Sequence, residues 1–322
     1  MTKNKIAYGI IGVGHLGNFH TEQALKNENF NVRGVYDLNE FRGAEISKKY
    51  NVDYFSDINQ LLNKCNAVSI VTPASTHYEI ALKALENNCH TFIEKPFCTN
   101  IKHAHEIQKT AEEKNLLVQI GHIEQFNPVF KKFISFNPKP VFLESERLAP
   151  FNKRGIDVDV ILDLMIHDID LILSLVPTKI KNISANGVQI LSNSYDLVNA
   201  RLEFQNNVTA NLTASRLSIQ PMRKLRVFES NVYSSLDLNN LSMARYTVNQ
   251  NSKNHNENVV FELDDKSVSR KTVSVNAINA LYEELDSFSQ SIINRKPIIV
   301  DAKKGIQTLE IAFEIQKKLN EN

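Results

Sequence analysis

From Ile6 to about Gly121, short apolar runs rich in Val and Ile alternate with longer amphipathic stretches. The runs at 7–11, 32–36, 67–71, 91–93 and 117–120, with a weaker one near 53–55, are predicted strands. Residues 75–88 and 100–115 are predicted helices, the second with Asn100 as its N-cap. Near-continuous apolar strands separated by helices signify βαβ units and a parallel sheet covered on both faces. After Asn127-Pro128 the pattern changes to one long helix and then a series of strands divided by Asn-rich turns. The runs at 141–145, 180–190, 197–204, 208–214, 224–229 and 259–263 predict a large, mostly antiparallel sheet. Residues 277–322 return to helices, 249–258 read as a surface loop, and no internal repeat is present. The expected fold is therefore α/β: a Rossmann-type parallel sheet in residues 1–122, then an α+β domain in residues 123–322.

Composition narrows the functional classes. At 322 residues, the chain is too long for one hydrophobic core. A formal net charge of +1, with Lys and Arg dispersed among Asp and Glu, argues against a nucleic-acid binder. No signal peptide is expected, because the apolar start is interrupted by glycines. The most apolar helix carries Asp159, Asp163, His167, Asp168 and Asp170, which are costly in lipid, so no membrane partner is expected. Three cysteines without metal-ligand spacing fit a reducing, cytoplasmic compartment and no metal site.

Gly12-x-Gly14-x-x-Gly17 follows a predicted strand and opens a predicted helix, the context in which such a pattern binds a dinucleotide. Gly12 allows the tight turn, Gly14 lets the backbone approach a pyrophosphate, and Gly17 lets the helix pack on the strand. The helix N-terminus, through His15 and Leu16, offers N–H groups to the phosphates. Asp37, at the end of the second strand, suits the ribose hydroxyls and favours NAD over NADP, although Arg33 and Arg42 leave that choice open. Thr72-Pro73 ends another strand where open parallel sheets place ligand loops, and His77 is counted with it; a plain strand-ending turn has the same pattern. Glu94-Lys95-Pro96 also follows a strand, and Pro96 stops the ladder so that Lys95 is presented at the rim. A cation there stabilises an alkoxide, while taken alone Lys95 also reads as a surface lysine.

The stretch 157–176 predicts a buried helix whose polar stripe is Asp163, His167, Asp170 and Ser174. A neutral imidazole oriented by a carboxylate can take a hydroxyl proton as hydride leaves carbon. A structural histidine satisfied by Asp163 fits the same spacing, and the residues alone leave both readings standing.

Taken in order, Gly12-x-Gly14-x-x-Gly17, Thr72-Pro73, Glu94-Lys95-Pro96 and Asp163-x-x-x-His167-x-x-Asp170 resemble the Gfo/Idh/MocA oxidoreductase family over essentially the whole chain. The resemblance implies a Rossmann domain joined to an open-faced antiparallel α/β domain, Lys95 and His167 as a catalytic pair, Asp163 as a supporting carboxylate, and association into a homodimer or homotetramer through the open sheet. Segments 121–128 (GHIEQFNP), 147–172 and 211–226 are most similar to the branch of UDP-N-acetylglucosamine 3-dehydrogenases. That branch implies NAD-dependent oxidation of a sugar hydroxyl to a ketone, with a pyridoxal-dependent aminotransferase downstream. His122, Gln125, Asn127, Arg147, Arg154, Asp163 and His167 are the expected substrate residues. Arg147, Lys153, Arg154, Arg216, Arg223 and Lys224 are the cations available to a diphosphate. Two positions depart from relatives: Gln125, where a basic residue often stands, and Met165, where many have Gly. The alternatives are a dehydrogenase of another sugar, an inositol or a dihydrodiol, and a non-enzymatic dinucleotide-binding regulatory protein.

Overall fold

All six residues of β1 (Ile6–Ile11) are buried, as a strand covered on both faces requires. The computed structural model describes residues 5–151, 158–250, 258–262 and 265–321. After β1 come α1 (His15–Lys26), β2 (Phe30–Tyr36), α2 (Glu40–Tyr50), β3 (Tyr54–Phe55), α3 (Ile58–Leu62), β4 (Ala67–Ile70), α4 (His77–Glu86), β5 (His90–Glu94), α5 (Ile101–Glu113) and β6 (Val118–Gly121). There follow α6 (Pro128–Ile134), β7 (Phe142–Leu148), a π turn (Ile161–Met165) and α7 (Ile166–Leu175). The strands β8 (Ile180–Val188), β9 (Leu197–Phe204), β10 (Thr209–Ser215), β11 (Met222–Phe228), β12 (Val232–Asp237), β13 (Ser242–Gln250), β14 (Val259–Glu262) and β15 (Lys266–Val273) come next. The chain closes with α8 (Ala280–Asn294) and α9 (Ala302–Glu321).

Two compact units emerge, one of residues Met1–Ile123 with Asn279–Glu310, the other of Glu124–Ile278 with Ile311–Asn322. The first contains, among the described residues, a six-stranded sheet in the order β3-β2-β1-β4-β5-β6, parallel throughout. The order reverses direction between β1 and β4, the crevice where open α/β sheets bind ligands. Tyr8 stacks on Phe30 at 4.0 Å, and Phe92 meets Phe288 of α8 edge-on at 6.1 Å. With Leu285 and Phe288 in this core, α8 belongs to the N-terminal unit, so the expected continuous second domain is interrupted. Helical periodicity shows that α8 has an apolar face; it carries no information about which sheet that face covers.

The second unit holds, among the described residues, a nine-stranded sheet ordered β14-β15-β13-β12-β11-β7-β10-β9-β8, antiparallel except where β7 pairs with β10. Period-two alternation is plain in β7 (FLESERL), where Leu143, Ser145 and Arg147 are buried and their neighbours are not. α7 packs on β7 and β10. On the opposite face Phe142, Phe228, Tyr233 and Tyr246 form an aromatic row across four strands, the last three rings stacked and Phe142 tilted against Phe228, and Arg270 lies over Tyr246. The strands β12, β13 and β15 were not expected from the sequence, and β13 runs to Gln250, into the stretch read as a loop. Their polar residues on both faces dilute the alternation that marks a half-buried strand.

Candidate active site

The register Ile11↔Ile70 and Ile70↔Ile93 aligns the carboxyl ends of β1, β4 and β5, so Gly12, Val71 and Glu94 begin their loops at one rim. Gly12 has φ +86°, and a Cβ there would lie 2.7 Å from both Val71 O and Thr72 Cγ2. A Cβ on Gly17 would lie 1.9 Å from Gly12 O, so α1 can approach β1 only with glycine at that position. At Gly14 an added Cβ meets nothing within 4 Å, and Gly14 caps α1 without a side-chain hydrogen bond. His15 and Leu16 are exposed on the first turn. An open, glycine-lined helix N-terminus is the cradle that a pyrophosphate fills.

Asp37 braces this loop: Oδ2 accepts from the Val13 N–H at 2.7 Å and Oδ1 from the Asn39 N–H at 2.9 Å. A carboxylate has lone pairs to spare for ribose hydroxyls beyond these two bonds. Arg42 donates to Val13 O at 2.7 Å, to Gly14 O at 3.2 Å and to Glu45 at 2.7 Å, so its guanidinium is engaged in the loop itself. Arg33 lines a separate hollow with Lys5, Asp53 and Lys64. This arrangement suits NAD. Asp37→Ala is expected to weaken NAD binding about 10- to 100-fold, the equivalent of a charged hydrogen bond, and to narrow the preference over NADP. Fluorescence titration with both reduced cofactors measures it.

Thr72 and Pro73 begin the loop after β4, where Thr76 Oγ1 donates to Thr72 Oγ1 at 2.8 Å. His77, counted from sequence with the cofactor residues, is instead fully buried behind the loops. Its Nε2 lies 2.9 Å from Thr72 O and its Nδ1 2.9 Å from Pro96 O, so the ring sits between the two loops. Burial holds its pKa below the usual imidazole value. Lys95 is half-buried at the end of β5, and the Lys95–Pro96 peptide bond is cis. Glu94 accepts the Lys95 N–H at 3.2 Å through Oε2 and meets His20 Nε2 at 2.9 Å through Oε1. Burial pushes the Glu94 carboxyl up, but the His20 hydrogen bond and the nearby positive charge outweigh it and hold the group below its ordinary value.

In the second unit, Asp163 lies in the π turn and His167 in the first turn of α7, both half-buried. The expected uninterrupted α-helix is thus a π turn followed by α7, with residue 157 outside the described residues. A π turn carries more residues than an α turn, so the four-residue spacing of Asp163 and His167 does not carry the α-helical geometry read from sequence. Asp170, expected on the same stripe, is buried, and its Oδ2 accepts from Gln125 Nε2 at 2.7 Å.

Several expected substrate residues are structural. Arg147 is buried in β7, with Nε and Nη2 donating to the Asp168 carboxylate at 3.0 and 2.9 Å and Nη1 to Glu124 at 2.9 Å. That two-pronged grip leaves Arg147 no face for a diphosphate, which corrects its assignment. Arg216 is likewise buried against Asp196 at 2.9 Å. Asn127 is the N-cap of α6, its Oδ1 accepting from the Val129 N–H at 3.0 Å while Nδ2 donates to Glu124 and Leu238 O. His122 is buried, and Arg154 and Lys153 lie outside the described residues. Arg223, about half exposed and 3.3 Å from Glu124, and half-buried Lys224 are the described cations of that set with an accessible face. Among the described residues no group of three or more His, Cys, Asp or Glu side chains is arranged to hold a metal ion, and no helix is long and apolar enough to cross a membrane.

The glycine cradle, the Asp37 brace and the order of the parallel sheet define a dinucleotide-binding oxidoreductase. Residues 6–122 match the model of the Gfo/Idh/MocA oxidoreductase family, NAD-binding Rossmann fold, and residues 120–231 match the C-terminal domain of that family; the chain belongs to it. It is 34% identical to the UDP-N-acetylglucosamine 3-dehydrogenase of Acidithiobacillus ferrooxidans over 96% of this chain and 95% of that one. A solved structure of that enzyme superposes with a TM-score of 0.89 at 32% identity, covering 98% of each chain. The NAD-dependent scyllo-inositol 2-dehydrogenase of Bacillus subtilis is 26% identical over 67% of this chain and 69% of its own.

Proposed function

We propose that the protein oxidises the 3-hydroxyl of UDP-N-acetylglucosamine to a ketone with NAD as hydride acceptor. The observation that carries this reading is the similarity to the Acidithiobacillus enzyme along nearly the full length of both chains. The inositol dehydrogenase, by contrast, aligns over about two-thirds of each. Gly12, Gly14, His15, Leu16, Gly17 and Asp37 would hold the cofactor, with the loops at Thr72-Pro73 and Glu94-Lys95 completing the site. When bound, NAD supplies the hydride acceptor. His167 takes the proton of the reacting hydroxyl, and Asp163 stabilises the imidazolium. The Lys95 ammonium stabilises negative charge on the carbinol oxygen as the C–H bond breaks. Of the described cations, Arg223, which shares the Arg147 face of the sheet, is the one we assign to the diphosphate, in place of Arg147. Gln125, tied to Asp170, orients that helix rather than supplying a charge.

The product ketone is a substrate for transamination, so a pyridoxal-dependent aminotransferase is the partner this reaction calls for. We place the reaction in the cytoplasm, where NAD and nucleotide sugars are available, and propose a homodimer or homotetramer. The partly exposed aromatic row on the open face of the nine-stranded sheet supports self-association. Single-turnover reduction of NAD by purified protein with UDP-N-acetylglucosamine, with chemical trapping of the ketone and mass analysis, tests the reading. A trapped 3-keto sugar with a matching nicotinamide signal is the expected result. A silent cofactor signal with NADH still bound sends the assignment to other polyols or to a regulatory role.

A further inference from the structure

We propose that His20 is a positioning residue for Lys95, acting through the carboxylate of Glu94. His20 lies on α1, is 1% exposed, and packs edge-on against Phe92 at 5.3 Å. It stands in a buried hydrogen-bonded row that crosses under three strands. Tyr8 Oη lies 2.5 Å from Ser69 Oγ, which lies 3.1 Å from His20 Nδ1. His20 Nε2 lies 2.9 Å from Glu94 Oε1, and Glu94 Oε2 accepts the Lys95 N–H at 3.2 Å.

One assignment of protons satisfies every member. In it the Tyr8 phenol, whose pKa burial pushes well above its ordinary value, donates to Ser69. The Ser69 hydroxyl then donates to His20 Nδ1, and Nε2–H donates to an ionised Glu94. The row has a direction, and it ends on the backbone of the residue that we assign to catalysis. Glu94 has little room to find another pose: a Cβ on Gly121 of β6 would come within 3.0 Å of its carboxyl carbon. The carboxylate is therefore held between α1, β6 and the Lys95 N–H. Removal of the imidazole leaves a largely buried carboxylate without its main donor, which favours protonation or rotation. Either change loosens the acceptor that fixes the Lys95 peptide.

The inference rests on the reading of Lys95 as the group that meets the substrate oxygen, and the experiment separates the two. Full-length wild type, His20→Leu, His20→Gln and Lys95→Ala are compared by NADH affinity, by single-turnover hydride transfer at saturating NAD and sugar nucleotide, and by the labelling rate of Lys95 with an amine-directed reagent. The Gln side chain carries an amide donor that can reach Glu94, whereas Leu does not. His20→Leu is expected to slow hydride transfer by up to about 100-fold, the scale of an ångström-level misplacement, with NADH affinity little changed and Lys95 labelling altered. His20→Gln recovers most of both. Unaltered Lys95 labelling in His20→Leu, or His20→Gln as impaired as His20→Leu, overturns the positioning role. Should His20→Leu not fold, His20→Asn, whose short amide stops short of Glu94, replaces it under the same criteria. If Lys95→Ala keeps full turnover, or the sugar nucleotide is not turned over by wild type, the catalytic reading fails while the labelling comparison still decides whether His20 positions Lys95.

Discussion

Lys95→Ala and His167→Ala are each expected to slow single-turnover hydride transfer by about 10²–10⁴-fold, the range for removing a positioned acid–base or charge-stabilising group. The two losses have different origins. Without His167 the hydroxyl proton has no base as hydride departs; without Lys95 the developing negative charge on oxygen has no fixed cation. In the proposed reaction both act on one C–H and O–H cleavage, so the effects are not independent and the double variant is expected to fall little below the worse single one. NADH affinity is the control. The cradle of Gly12, Gly14 and Gly17 and the Asp37 brace lie on other elements and are untouched by either change. Either variant turning over at the wild-type rate with cofactor bound sinks the assignment. Strictly additive losses would argue that the two residues do not serve the same step.

The contrast between these residues and Arg147 shows what a sequence carries. The glycine cradle was legible because its chemistry is local: strand, turn and helix follow one another, and the backbone limits on Gly12 and Gly17 are met by neighbours close in the chain or by the adjacent strand end. Asp37 was legible for the same reason, at a fixed distance along one βαβ unit. Arg147 was misread because its charge suggested a ligand, although the sequence held the opposite signal. Counting by twos from Leu143 through Ser145 reaches Arg147 on the buried face of β7. A buried arginine needs carboxylates, and Glu124 and Asp168 come from elements whose meeting no local pattern records. Asn127 before Pro128 carried a helix-start signal that its apparent place in a substrate segment obscured. His77 and His20 had no such marker, since His77 reaches the carbonyls of two loops, at Thr72 and Pro96, and the partners of His20 sit on strands far along the chain.

Arg147→Met provides the sharpest separation of structural from substrate roles, and it is expected to destabilise the protein by about 3–5 kcal/mol in urea unfolding. The methionine replaces the bulk of the side chain and leaves Glu124 and Asp168 buried close together, with Arg223 at 3.3 Å from Glu124 as the remaining counter-charge. At a temperature where the variant stays folded, its KM for the sugar nucleotide should hold near the wild-type value. Arg223→Ala should raise that KM while costing little stability. A tenfold or larger KM increase in Arg147→Met alone would return Arg147 to the substrate site. The pH dependence adds a test of sign. In the wild type, burial raises the Glu124 carboxyl, but Arg147 and Arg223 more than compensate and hold it below its ordinary value. Its contribution is therefore complete above the unfolded carboxylate pKa of about 4.3 and is lost as pH falls through the lowered folded value. Without Arg147 the two carboxylates favour protonation in the folded state, so acid relieves their repulsion. The stability gap between wild type and Arg147→Met should accordingly narrow from pH 7 toward pH 5. A gap that stays constant or widens would mean that the guanidinium is not the charge that keeps Glu124 ionised.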